Sequence, residues 1–181
     1  MNLQFYLEKL HASEEFKKFK RENPDAYLCS AFFSIDKENM KSPDNKSHLD
    51  FYVPPKDKNE KGKMFSFQLE EGVKLVPLDT SGFPDGMDSE EISSDINLDF
   101  NNVEKMIAER MEKENLRNKI QKILFSLQNK EGKAFLIGTV FISMFGLLKV
   151  NIDLSEKPFW KITSFEKKSF FDMLSITGKK K

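Results

Sequence analysis

A chain of 181 residues with 29 Lys+Arg against 29 Asp+Glu has room for one ordinary domain or two small ones, and its charge balance gives no general pull toward nucleic acid or acidic lipid. The hydrophobic share is 39% and the charged share 32%, with 18 Phe against one Trp and three Tyr, so aromatic rings must supply much of any core. One cysteine, Cys29, excludes an internal disulfide and a Cys-rich zinc site and fits a reducing, cytoplasmic setting.

In chain order, the N-terminal stretch carries Glu8 and Lys9 inside its apolar pattern and does not read as a signal peptide. Leu3, Tyr6, Leu7 and Leu10 fall at helical spacing, and Phe16 and Phe19 carry the apolar side on to about Glu22 after a break near Ser13. Ser13 is placed to cap a second helical segment, with Glu14 and Glu15 complementing its dipole, and Pro24 ends it. "AYLCSAFFSID" (residues 26–36) is rich in strand formers. "HLDFYVPP" alternates Leu49, Phe51 and Val53 with polar neighbours until two prolines stop it. "MFSFQLE" alternates Phe65, Phe67 and Leu69 in the same way, and "VKLVPL" reads as a short edge strand. Residues 79–99 are acidic and rich in Gly, Pro and Ser, and are expected to be a linker. A long helix is expected over residues 100–128, with Val103, Met106, Ile107, Met111, Leu116, Ile120, Ile123, Leu124 and Leu127 on its buried stripe.

The most apolar stretch, residues 133–154, poses a choice between a membrane span and the middle of a sheet. Its uncharged run is only about fifteen residues where a spanning helix needs roughly 20. Leu148, Val150, Ile152 and Leu154 then alternate with Lys149, Asn151 and Asp153, the period of a half-buried strand. The expectation is a strand pair with a turn at Gly146 and no membrane span. "KPFWKITSF" follows as another strand, "KKSFFDMLSI" as a short helix or strand, and "TGKKK" as a frayed tail.

"AYLCSAFFSI" from Ala26 and "AFLIGTVFIS" from Ala134 echo one another without gaps, and each half reads as a helix followed by three or four strands. In element order this resembles the cystatin-like and PepSY-like class of small α+β units, here as a tandem pair. The resemblance covers each half. The chain lacks the Gln-Val-Val-Ala-Gly hairpin of cystatin-like inhibitors and the Asp-x-x-x-Gly turn of PepSY-like units, so no family residue role carries over. As a whole the chain also resembles a small prokaryotic protein. The expected architecture is α+β: residues 1–78 as one helix-plus-antiparallel-meander half, residues 79–99 as an acidic linker, and residues 100–181 as a second such half with a basic tail. The helices would pack on one sheet face.

Candidate chemistry is sparse. Cys29 lies among apolar strand residues and reads as a buried thiol. His11 and His48 sit in different elements and form no His-x-x-x-His or His-Glu-x-x-His pair. His48 opens a strand as a candidate general base or an exposed edge histidine, and a Cys29–His48 dyad across strands is geometrically conceivable. Asp85, Asp88 and Glu91 are candidate calcium ligands but lack the EF-hand ladder, so a solvated linker is the simpler reading. Arg110, Lys113 and Arg117 follow helical spacing, but Glu109, Glu112 and Glu114 interleave them as on a salt-bridged surface. Phe159 and Trp160 offer rings for base stacking, although a strand containing Ile162 makes them core candidates. Phosphate-cradling glycine loops are absent.

No catalytic, cofactor-binding or metal residue is assigned, and no cofactor is expected. The reading leans away from an enzyme and toward a non-catalytic binding or scaffolding module that contacts a protein partner or a second copy of itself. The alternatives are an enzyme with a site built from dispersed Asp, Glu, Ser or Tyr residues, and a binder of nucleic acid or an anionic surface using the basic second half and Lys179, Lys180 and Lys181. Nucleic acid is the less expected partner.

Overall fold

The computed structural model of the chain describes residues 2–39, 41–57, 60–79, 90–156 and 160–169. Two short helices lead: α1 (Leu3–Ala12), capped by the Asn2 side chain, and α2 (Glu14–Glu22). Ser13 separates them and serves both. Its Oγ accepts from the Phe16 amide at 3.2 Å and donates to the Leu10 carbonyl at 2.7 Å, so one residue ends the first helix and starts the second. Four strands follow, β1 (Tyr27–Asp36), β2 (Lys46–Val53), β3 (Lys63–Gln68) and β4 (Lys74–Leu78). Then come α3 (Phe100–Lys113), β5 (Ile120–Lys130), β6 (Lys133–Ile142), β7 (Gly146–Asp153) and β8 (Lys161–Ser169).

The eight strands among the described residues form one antiparallel sheet in the order β4-β3-β2-β1-β5-β6-β7-β8. The expectation of two separate helix-plus-meander halves is therefore corrected: the described residues form a single sheet and a single core. Residues 120–128, expected as the end of a long helix, are the reason. Leu116, Ile120, Leu124 and Leu127 fit helical spacing, but Ile123, Phe125 and Leu127 fit period two equally well, and the latter pattern is the one buried. The helix stops at Lys113, and Asn115 enters left-handed backbone with φ of 57°. The strand so released pairs with β1, setting Ala31 opposite Leu127 and Phe33 opposite Phe125. Two separate halves would leave this pair of apolar strands as bare edges. The echo noted in the sequence aligned β1 with β6, whereas β1 meets β5 at the middle of the sheet.

The three helices among the described residues lie on one face of the sheet. Tyr6 of α1 packs on Phe33 with ring centroids 5.2 Å apart, and Phe16 and Phe19 of α2 cover Phe51, Phe65 and Phe67 at 5.2–6.0 Å. Phe100 at the start of α3 touches both Phe33 (4.5 Å) and Phe125 (6.0 Å), straddling the β1–β5 junction. The abundance of phenylalanine has its explanation here: rings from each helix fill the layer above the sheet. Residues 90–99, within the expected linker, run along this core. Ile92, Ile96 and Leu98 are buried, the Leu3 amide donates to the Leu98 carbonyl at 2.9 Å, and Glu90 accepts from the amides of Glu131 and Gly132 at 2.7 and 2.8 Å.

Residues 133–154 form the β6–β7 hairpin. The turn falls on Ser143, Met144 and Phe145, and Gly146 already pairs with Ile142. Among the described residues no helix is long and apolar enough to cross a membrane. The expected closing element of residues 167–176 falls within the described residues only up to Ser169, where it continues β8.

Candidate functional site

The face of the sheet away from the helices is the surface on which side chains with chemistry gather. Register places Tyr27 beside Tyr52 and Met64, Ser30 beside Asp50 and Ser66, and Phe32 beside His48 and Gln68. On the other side of β1 the same rows continue through Gln128 and Phe135, and through Ser126, Ile137 and Asn151.

Asp50 is the centre of its row. Its carboxylate accepts from the hydroxyls of Ser66 and Ser30, and burial raises its pKa above the ordinary carboxylate range against the opposing pull of those bonds and of His48. Ser66 is only 3% exposed, so its hydroxyl is a partner for Asp50 and is closed to a substrate. His48 is engaged at one end by Glu70, Nε2 to Oε1 at 3.1 Å, and lies 5.7 Å from the Phe32 ring. Glu70 also accepts the Ser47 amide at 2.8 Å. On the helix side of the same strand Tyr6 hydrogen-bonds Ser47, with its phenol pKa raised by burial. The arrangement is a set of satisfied pairs, Asp50 with two serines and His48 with Glu70, and it holds β1, β2 and β3 in register.

The sequence candidates scatter. Cys29 is buried at a bulge of β1 and its thiol donates to the Asp50 carbonyl at 3.4 Å. Register puts Phe32, not Cys29, opposite His48. His11 is exposed on α1, with its ring 5.1 Å from that of Phe16. Asp85 and Asp88 lie outside the described residues, and the Glu91 carbonyl accepts from Asn129 at 2.8 Å. Arg110 pairs with Glu114 at 2.7 Å and sits over the Phe165 ring at 5.5 Å, so it joins α3 to β8. Trp160 is half-buried against the core, while Phe159 lies outside the described residues. Among the described residues no group of three or more His, Cys, Asp or Glu side chains is placed to hold a metal ion.

The sequence reading missed the apolar character of this helix-free face. Phe32, Phe135 and Phe141 are half-buried on it, together with Tyr27 and Tyr52, and Ile137 is 41% exposed. The signal was available in "AFLIGTVFI", where both alternating sets are apolar, but it looks the same as a strand buried on both faces.

No protein-family model and no curated protein matches the chain. Among solved structures it is similar to one described as a "putative lipoprotein" from Clostridium difficile 630, at 14% sequence identity and a TM-score of 0.47, over 86% of this chain and 91% of that one. A likeness at this level carries no argument about function.

Proposed function

We propose that the chain is a non-catalytic binding module that contacts a second copy of itself or a protein partner through the helix-free face of its sheet. One observation carries this reading. An antiparallel sheet with one face on the core ordinarily shows polar side chains on the other, yet here Phe32, Phe135, Ile137 and Phe141 share that face with His48, Ser126 and Asn151. An apolar centre interspersed with hydrogen-bonding groups is the composition of an interface. A formal net charge of +0 removes the general repulsion that would keep copies apart. The outer edge of β8 adds a second contact option, since no strand among the described residues pairs with it. A cytoplasmic setting belongs to this reading and is supported by the single, buried cysteine.

Catalysis is the weaker reading, because Ser66 is closed off and His48 is already engaged. Sedimentation velocity over a concentration series tests the proposal. Wild-type protein should shift to a larger species as concentration rises, and Ile137→Lys should weaken that association about tenfold or more with no loss of thermal stability. A chain that stays monomeric throughout and retains no protein partner on an affinity column would defeat it.

A further inference from the structure

We propose that the tip of the β6–β7 hairpin, Met144 with Phe145, seats in the interfacial layer of an anionic lipid bilayer, with Arg117 and Lys119 meeting the headgroups. Met144 is 87% exposed and Phe145 75%, the two highest values among the exposed large apolar side chains of the described residues, with Phe5 next at 57%. Both adopt left-handed backbone, with φ of 64° and 55°, a conformation that favours Gly and Asn and that β-hairpin turns normally assign to them. The neighbouring β5–β6 hairpin meets the same demand with Glu131 and Gly132, at φ of 54° and 72°. At the β6–β7 tip the chain thus carries two unfavourable features together, exposed apolar surface and a strained backbone, where a polar pair would relieve both. Among the described residues no packing accounts for Met and Phe there, whereas contact with a hydrocarbon boundary does.

The tip is also held rigid. Ser143 donates its amide to the Lys119 carbonyl at 2.8 Å, its hydroxyl accepts from the Lys119 amide at 3.0 Å, and its carbonyl accepts from the Asn118 side chain at 2.8 Å. This buttress brings charge to the tip. Residues 115–119 hold Arg117 and Lys119, both exposed, and no acid. Lys168 stands opposite Leu147 on β8, with its neighbour Glu166 paired to it at 3.3 Å. The nearest acid before the buttress, Glu114, is paired with Arg110, and Asp44, further along the same end of the sheet, is paired with Lys122 at 3.0 Å. An apolar point flanked by Arg117 and Lys119 fits shallow insertion below anionic headgroups, in which the apolar pair enters the acyl boundary and these two cations remain in the headgroup layer.

The test is co-sedimentation of the full chain with vesicles of phosphatidylcholine, alone or mixed with phosphatidylglycerol. Wild-type protein should bind the mixed vesicles, bind the neutral ones weakly, and lose affinity as salt rises. Met144→Asn combined with Phe145→Gly installs the favoured turn pair, so the hairpin should stay folded while vesicle affinity falls about tenfold or more. Arg117→Gln with Lys119→Gln should flatten the salt dependence. In Phe145→Trp, emission should shift to the blue on vesicle addition, with Trp160 near the start of β8, at the other end of the sheet, as a constant background. Ile137→Lys should leave vesicle binding intact, which separates this proposal from the self-association reading. Wild-type protein that ignores both vesicle types, or a tip variant that binds as wild type does, would overturn it. A tip variant that loses self-association while vesicles have no effect would overturn it as well.

Discussion

Two aspartates show how the same side chain takes opposite electrostatic roles from its surroundings. Asp50 is half-buried on the helix-free face and its pKa is raised, first by desolvation. A carboxyl with a raised folded pKa is easier to protonate in the folded chain, so it costs stability once pH exceeds the ordinary carboxylate range. Asp50→Asn keeps partners for Ser30 and Ser66 and should raise the melting temperature near neutral pH, with the gain fading below pH 4 or so. Asp36 is the reverse. Its carboxylate accepts from the amides of Asp44, Asn39 and Glu38, and its pKa is lowered by those bonds. It supports the loop after β1 above the ordinary carboxylate range, and that support is lost as pH falls through the lowered folded value. Asp36→Asn should therefore destabilise at neutral pH and match wild type in strong acid. Thermal melts across pH read both, and melting-temperature shifts of the same sign would contradict this assignment.

At the scale of single elements, local chemistry and packing divide the work. Ser13 is a local device, since its hydroxyl ends α1 and caps α2. Ser13→Ala should cost about 1 kcal/mol in urea titration, with the slope of the transition unchanged. Gly138 in β6 is a packing device. A Cβ there would stand 3.1 Å from the Phe125 ring, so the glycine leaves that ring room over the strand. Residues 120–128 show where local information fails. Ile120, Leu124 and Leu127 permit a helix while Ile123, Phe125 and Leu127 permit a strand, and propensity alone does not separate the two. The partner decides, because β1 offers Ala31 and Phe33 as facing residues.

For the whole molecule, the continuous sheet and the straddling position of Phe100 imply cooperative folding. Phe100 is 2% exposed and touches rings on both β1 and β5. Phe100→Ala should cost about 3–5 kcal/mol and lower the melting of the entire chain in one transition, as followed by calorimetry. Residues 1–78 expressed alone should lack a cooperative melt, because β1 would become an edge and Leu3 would lose its bond to Leu98. A well-dispersed amide spectrum from that fragment would show instead that the first four strands hold together without the rest. The two proposed contact surfaces are also properties of the whole sheet: one is its helix-free face, the other the end of its β6–β7 hairpin.

Much of this protein was legible in the residues themselves. The Ser13 cap, the proline stops and the period-two runs of β2, β3 and β7 are encoded within a few neighbours along the chain, since turn chemistry and side-chain alternation are local physics. Cys29 as a buried thiol was legible for the same reason. The joining of the strands into one sheet was decided only by the tertiary structure, as were the burial of residues 90–99, the pairing of Asp50 with Ser30 and Ser66, and the exposure of Met144 with Phe145. Each of these depends on which distant strand lies alongside. A single sequence carries the appetite of an apolar strand for a partner, and only the assembled fold shows which partner satisfies it.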